Sequence, residues 1–441
     1  MRERHSFLSS LYTGGALFYY LCMQRTYTSL LCSLYGEQQF SIRDPLWKDI
    51  HLPLSFKPII ADAVFQKLGR IKQLGPTFHL YPGAVHTRLD HSLGVYHVGF
   101  SILASLLKQA NSGNLVLPCT EEGMKTFLCA CLLHDIGHFP FAHSLKELPL
   151  TSHEAMANRL ICGNESLRQA IEQAGIQSEK VGLIIDEQIP CDDEEIRLYR
   201  TILSGTLDPD KLDYLNRDAF FCGVPYGTQD VSYITDQLTV VDSKLAVTEQ
   251  AIGSIEHLLF SKYLMYRNVY WHKTTRSATA MIKKAVLLSL ADGSLSFEDL
   301  YELDDQQFFM LPSLKKFPNA PLFAAVRDNR LYRLSFEKAY EAQGVLEAQT
   351  GEVAGRIAFE SALASKLGVS ESQIIVDIPE PISFESDIPI LGEGGTLKHF
   401  WDFDQIFSYD IGKVFTKSLR KFRIFTPSCI AQKAILEALE L

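Results

Sequence analysis

The chain has 441 residues, 46% of them hydrophobic, enough to bury one large core or two moderate ones, which excludes a disordered or fibrous protein. A formal net charge of −10 excludes a broad basic surface of the kind that tracks nucleic acid, so we expect a metabolite-scale partner and neither a nucleic acid nor a membrane. Nine cysteines, an odd number without a CxxC pair, exclude a disulfide framework and fit a reducing cytoplasm.

The chain opens with MRERHSFLSSLYTGGALFYYLCMQR, charged residues before an apolar stretch too short and too diluted by Ser, Thr and Gly for a membrane span. We expect an N-terminal extension over 1–40, with Met23 as an alternative start. Apolar residues recur at helical spacing over 55–74 and 91–108, with Pro82-Gly83 turning the chain between them. The run from Met124 is apolar on nearly every side, which predicts a helix over 124–137 enclosed by others and ended by Gly137. His134 and Asp135 then fall in its last turn. Asp208 as N-cap and Pro209 at the first helical position predict a helix over 209–220. LTVVDSKLAVT (238–248) reads as a β-hairpin, and helix resumes over 250–292. From Ser296 onward, acidic loops alternate with short strands such as RLYRLSF and SQIIVDI, before a final helix near 429–440. The expected fold is mainly α, a helical core over 41–294 with one small β-hairpin, followed by a smaller α+β region over 295–441.

Burying a carboxylate beside an imidazole costs several kcal/mol unless a partner compensates, and a divalent cation is the strongest compensation available. His134 and Asp135 offer mixed N and O donors from one turn; His91, opening its helix, and Asp210, in the first turn of 209–220, supply two more from separate elements. Taken alone, the His134–Asp135 dipeptide equally describes a satisfied polar pair at a helix end. On the 209–220 helix, Asp210, Lys211, Tyr214 and Asp218 share an arc of about 100° while Leu212, Leu215 and Ala219 take the neighbouring face. That pattern suits a pocket wall, and equally a surface helix with a solvated face. Eight of the 13 histidines lie between His79 and His153, a density suited to anionic phosphate and to proton transfer near neutral pH. His79 and His97 are given no role.

The order His91, His134-Asp135, Asp210 resembles the HD-domain metal-dependent phosphohydrolases. The blocks IKQLGPTFHLYPGAVHTRLDHSLGVYH, LLHDIGHFPFAHS and LDPDKLDYLNRDAFFCGVPYG resemble the dNTP triphosphohydrolase branch, the SAM-and-HD-domain enzymes and their bacterial relatives, over residues 41–290. The resemblance implies an HD helical core with one divalent ion (Mn, Fe, Mg, Zn or Ni) on His91, His134, Asp135 and Asp210. It implies attack of water on the α-phosphorus of a deoxynucleoside triphosphate, releasing deoxynucleoside and triphosphate, the ion lowering the water's pKa and polarising the phosphoryl oxygen. By the same resemblance His138, His143 and His153 surround the phosphates and move protons, and Arg88, Lys211 and Lys262 neutralise charge. Tyr214 lines the sugar pocket, Gln73 with the Leu74 backbone and Asp218 hold the 3′-hydroxyl, and Tyr270 packs near the base. A homo-oligomer is implied as well.

This chain also departs from the pattern. Lys146 stands where relatives carry a carboxylate partner for a catalytic histidine, and whether the adjacent Glu147 replaces it is left open. Ala61 and Gly69 replace residues that read an activating guanine, so no activation of that kind is expected. Lys262 replaces an arginine and Trp271 a glutamine, and no SAM domain is expected before residue 41. Two alternatives stay open: an HD phosphohydrolase acting on a nucleoside monophosphate, alarmone or cyclic nucleotide, and a catalytically weak nucleotide sensor. Gln73, Tyr214 and Asp218 favour the dNTP reading.

Overall fold

A computed structural model describes residues 26–242, 244–382, 388–392, 394–403 and 410–440. The expected N-terminal extension lies outside the described residues as far as residue 25. Residues 26–36 are helical, and an antiparallel hairpin follows, β1 (Gln39–Asp44) and β2 (Lys48–Pro53), with Ile42 opposite Ile50.

The fold is mainly α, as the sequence predicts, and its axis is α1 (Arg88–Asn111). Thr87 and Asp90 close a reciprocal capping box at its start, so the first turn, which holds His91, is fixed. Two glycines on α1 set how closely its neighbours approach. A Cβ on Gly99 would stand 2.6 Å from Cys131 Sγ on α2 (Glu121–Leu133), and one on Gly94 1.9 Å from the Asp213 carboxylate on α4 (Pro209–Cys222). α2 is buried along almost its whole length, and α3 (His153–Gly163) enters after a loop.

Several boundaries differ from expectation for identifiable reasons. The expected helix over 55–74 is broken into Lys57–Ala61, Ala63–Lys67 and short 3-10 turns, because Asp62 is extended and caps the second piece through the Val64 N–H. α2 stops at Leu133, so His134 is its C-cap and Asp135 lies beyond its last turn. Gly137 does not end it; a Cβ there would meet the His153 carbonyl at 2.0 Å, so this glycine lets the His134–His138 turn press against the start of α3. The expected helix over 250–292 is two helices, α5 (Ile252–Met265) and α6 (Lys273–Ala291), joined by a π-helical turn, Tyr266–Tyr270.

The expected hairpin forms as β3 (Leu238–Val241) and β4 (Lys244–Thr248), and β7 (Pro389–Leu391) and β8 (Leu397–His399) extend it into the order β3-β4-β7-β8. A second sheet, β5-β9-β6, is built from Arg333–Ala339, Lys421–Thr426 and Ile375–Asp377. The segments after Ser296 expected as acidic loops are largely helical. Ser296 with Asp299 and Asp304 with Gln307 form capping boxes that start Phe297–Tyr301 and Asp305–Leu314, and α7 (Val353–Leu367) follows.

The apolar interior has two main parts. One surrounds α1, α2 and α4. The other joins Phe139, Phe141, Leu145 and Leu148 to α6 and to Phe308, Phe323 and Phe425 of the C-terminal region, so it runs across residue 295. The cavity described next lies where these two parts meet.

Candidate metal centre and active site

Donor atoms of His91, His134 and Asp135 lie within 4.8 Å of one another, and Asp210 Oδ1 stands 2.9 Å from His91 Nε2. These four side chains come from the first turn of α1, the end of α2 and the first turn of α4, as the sequence pattern requires. Asp208 caps α4 by accepting from the Lys211 N–H, which fixes Asp210 one residue into the helix. Asp210 turns its carboxylate into the cavity, 40% exposed, whereas His91 is 1% exposed.

The donor chemistry fits a divalent cation. His134 Nδ1 bonds the Cys131 carbonyl at 2.9 Å, so Nδ1 carries the proton and the Nε2 lone pair is left buried with no hydrogen-bond partner. His91 is oriented in the same way, its Nδ1 2.8 Å from Asp213 Oδ2. Asp213 also accepts from Arg217 Nε and Nη2 at 2.9 and 3.0 Å and from the Trp47 indole, and Arg217 donates on to Asp44 at 2.7 Å. Protonated His91 supplies a positive charge that Asp210 and Asp213 stabilise. Burial opposes charge on His91, yet Asp210 and Asp213 outweigh it and hold the imidazole up at about 10. Asp210 is pushed down to about 2, burial being overcome by the His91 contact, and Asp135 lies well below the usual range because His138 and Arg88 outweigh its burial.

A histidine cluster adjoins these donors. The rings of His138 and His153 are 4.1 Å apart and those of His138 and His143 5.2 Å, while His138 Nδ1 lies 3.0 Å from Asp135 Oδ1. Burial, reinforced by the Arg88 charge, holds His138 and His143 well below the usual imidazole value. His153 Nε2 is 3.1 Å from Glu154 Oε1.

A cavity of about 740 Å³ opens over both groups, and every site residue expected from the sequence lines it. Arg88 donates to Asp135 at 2.6 Å and keeps a buried Nε without a partner. Lys211 Nζ is tied to Asp208 at 2.6 Å and to the Gly205 carbonyl at 2.8 Å, and Lys262 is nearly buried at the wall. Elsewhere in the lining, Gln73 Oε1 is buried and unpartnered beside Leu74. Asp218 accepts from the Tyr270 hydroxyl at 2.6 Å and lies 2.9 Å from His86 Nε2, with Tyr214 nearby on the same helix. The π turn ends at Tyr270 and presents it and Trp271 to the cavity. Ala61 and Gly69 are exposed and lie outside the lining.

The structure bears on the place of Glu147, left open by the sequence: its two oxygens are taken by Lys283 at 3.0 Å and Arg356 at 2.7 Å, so it does not stand in for the carboxylate missing at Lys146. Besides Asp135, the acid that meets the histidine cluster is Glu154, at His153. The sequence reading also missed Asp213, Arg217, Asp44 and Trp47. Only the i, i+4 spacing of Asp213 and Arg217 on α4 signalled an ion pair, and nothing marked its link to His91. It further missed Thr275, Arg276 and Lys283 of α6 and the segment Glu380 to Ile382, all of which line the cavity.

Comparison with known proteins agrees with this geometry. Residues 88–190 match the HD domain, and residues 229–405 match the HD associated region. The chain is 34% identical over 268 residues to the uncharacterized protein MJ1154 of Methanocaldococcus jannaschii, an alignment spanning 60% of this chain and 53% of that protein. It is 27% identical over 295 residues to human deoxynucleoside triphosphate triphosphohydrolase SAMHD1, spanning 59% of this chain and 46% of that one. The chain thus spans about half the length of these curated relatives. A solved structure of a hypothetical protein from Aquifex aeolicus superposes with a TM-score of 0.70 at 26% identity, covering 91% of this chain and 100% of that one.

Proposed function

Because the chain is an HD-domain protein with an adjoining HD associated region, we propose that it is a metal-dependent phosphohydrolase that cleaves deoxynucleoside triphosphates into deoxynucleoside and triphosphate. The observation that supports this most is the joining of His91, His134, Asp135 and Asp210, drawn from three helices, to one cavity of about 740 Å³ with phosphate-side cations at one wall and a sugar-sized polar corner at another. A divalent ion on those four residues supplies, when bound, an acidified water and a polarised phosphoryl oxygen.

The remaining work belongs to the chain's own side chains. Arg88, Lys211 and Lys262 orient and neutralise the phosphates. His138 and His153, close together, accept and return the proton, with Glu154 orienting His153. His143, which also lines the cavity, contacts the leaving oxygen. Gln73 Oε1 and Asp218 receive the 3′-hydroxyl, Tyr214 closes on the sugar and excludes a 2′-hydroxyl, and Tyr270 flanks the base. On this reading the protein acts in the cytoplasm as a homo-oligomer. Incubating purified protein with Mn²⁺ and each dNTP and NTP in turn, and separating the products by chromatography, tests it. Deoxynucleoside and intact tripolyphosphate from dNTPs alone are expected; orthophosphate or pyrophosphate release, or equal turnover of NTPs, sinks it.

A further inference from the structure

The turn that presents His143 is not held by the helices that hold the metal-site residues. It begins at Phe141, a non-glycine residue at φ +61°, a conformation that persists only where the surroundings fix it. Those surroundings come from α6 and the C-terminal region, with Gly75 also close to the ring. The Phe141 ring lies 4.9 Å from that of Phe308, and Leu145, fully buried, belongs to the core shared with α6 and the C-terminal sheet. Just past the turn, Glu147 is gripped at both oxygens, by Lys283 of α6 and by Arg356 of α7. Arg356 is 6% exposed and also donates from Nε to the Thr350 carbonyl at 3.3 Å, so its guanidinium is fixed before it reaches Glu147.

We propose that Arg356 is a positioning residue: acting through Glu147, it locks the 141–147 turn and so sets where His143 stands in the cavity. This makes the C-terminal region part of the catalytic unit, although its helix α7 supplies no group to the lining. A bidentate grip by two buried cations fixes a carboxylate in two directions, and a misplacement of about 1 Å in a group that meets the substrate costs about a hundredfold in rate. The candidate metal ligands are held by other elements, the first turns of α1 and α4 and the end of α2.

The catalytic half of this inference rests on the proposed reaction; the anchoring half does not, and the test separates them. Full-length Arg356→Ala, Arg356→Lys and Glu147→Gln proteins are compared with wild type for amide hydrogen exchange, bound metal and dNTP turnover. In Arg356→Ala, exchange over 139–150 is expected to rise at least tenfold while that over 209–222 and the metal content stay unchanged. Its kcat is expected to fall about a hundredfold with KM nearly constant, and Arg356→Lys to recover most of both. Glu147→Gln, which preserves shape, is the milder arm should Arg356→Ala fold poorly, and it is expected to move the same peptides. Unchanged exchange over 139–150 in folded variants overturns the anchoring. Raised exchange with wild-type kcat overturns the positioning role. A wild-type protein inert toward dNTPs sinks the proposed reaction and the catalytic half with it, while the exchange result still decides the anchoring.

Discussion

Replacing Asp213 by Asn probes how the metal site is held. Each Asp213 oxygen receives two donors: Oδ2 takes His91 Nδ1 and Arg217 Nε, and Oδ1 takes Arg217 Nη2 and the Trp47 indole. An amide accepts on one side only, so either orientation sets an NH₂ against two N–H groups and leaves Arg217 with Asp44 as its remaining carboxylate. Breaking a buried ion pair of this kind costs about 3–5 kcal/mol, a large share of the roughly 5–15 kcal/mol that holds a domain together. Loss of the group that orients a metal-ligating imidazole lowers metal affinity about 10- to 100-fold, or about 1.4–2.7 kcal/mol. Asp44→Asn supplies the control, because it removes the other partner of Arg217 without touching His91. Mn²⁺ affinity measured by competition with a chelator, and the unfolding midpoint of the metal-free proteins, separate the two effects. Both variants should lose stability, and only Asp213→Asn should lose metal affinity. Equal affinity losses in the two, or none in Asp213→Asn, refute the claim that Asp213 acts through His91.

Asp210→Ala should abolish both metal retention and turnover, since Asp210 faces His91 Nε2 across the site; full metal occupancy by elemental analysis refutes its place among the ligands. Asp218→Ala frees the Tyr270 hydroxyl and His86 and should weaken dNTP turnover at least tenfold more than turnover of a generic phosphodiester. Equal losses remove the 3′-hydroxyl role. Lys146→Ala should raise KM for dNTPs severalfold without altering metal content, because this lysine is exposed to the cavity beside His143; an unchanged KM leaves it without a phosphate role. Burial favours the neutral form of Glu147, but Lys283 and Arg356 outweigh it, so its folded-state value lies below the ordinary carboxylate value. Its stabilisation is therefore present above about pH 4.3, the ordinary glutamate value, and fades as pH falls through the lowered one. Glu147→Gln should melt below wild type at neutral pH and converge with it in acid, and a gap that stays constant across that range contradicts the ion-pair account.

The parts legible in the sequence were those fixed by local chemistry. Asp208 and Pro209 announced α4, and its 100° arc placed Asp210, Lys211, Tyr214 and Asp218 on the wall they occupy. The closeness of the four candidate ligands was legible because their order and spacing resemble a known family. What escaped depends on partners far apart in the chain. Asp213 and Arg217 look like an ordinary surface pair on a helix, and only their closure by Asp44, 173 residues earlier, makes them buried. The place of Glu147 stayed open for the same reason, since Arg356 lies 209 residues further on. Gly137 was taken as a helix stop because a glycine after an apolar run usually is one. Its use, close passage of the His138 turn past α3, appears only when α3 is in place.

The arrangement also explains how a chain of net charge −10 can offer a home to a polyanion. Among the described residues, four helices begin at the cavity, α1 with Arg88, α3 with His153, α4 with Lys211 and α6 with Thr275 and Arg276 in their first turns. Each start carries about half a positive charge from unpaired N–H groups. Among the lining carboxylates, Asp135 and Asp210 are the ones whose charge a divalent ion cancels, so metal loading turns the balance of the cavity toward positive. Field within the cavity, and not the overall charge, then governs phosphate binding, because exposed charges beyond about 8–10 Å are screened at physiological ionic strength. Metal occupancy and nucleotide affinity should accordingly be linked in both directions, each ligand strengthening the other by the same factor.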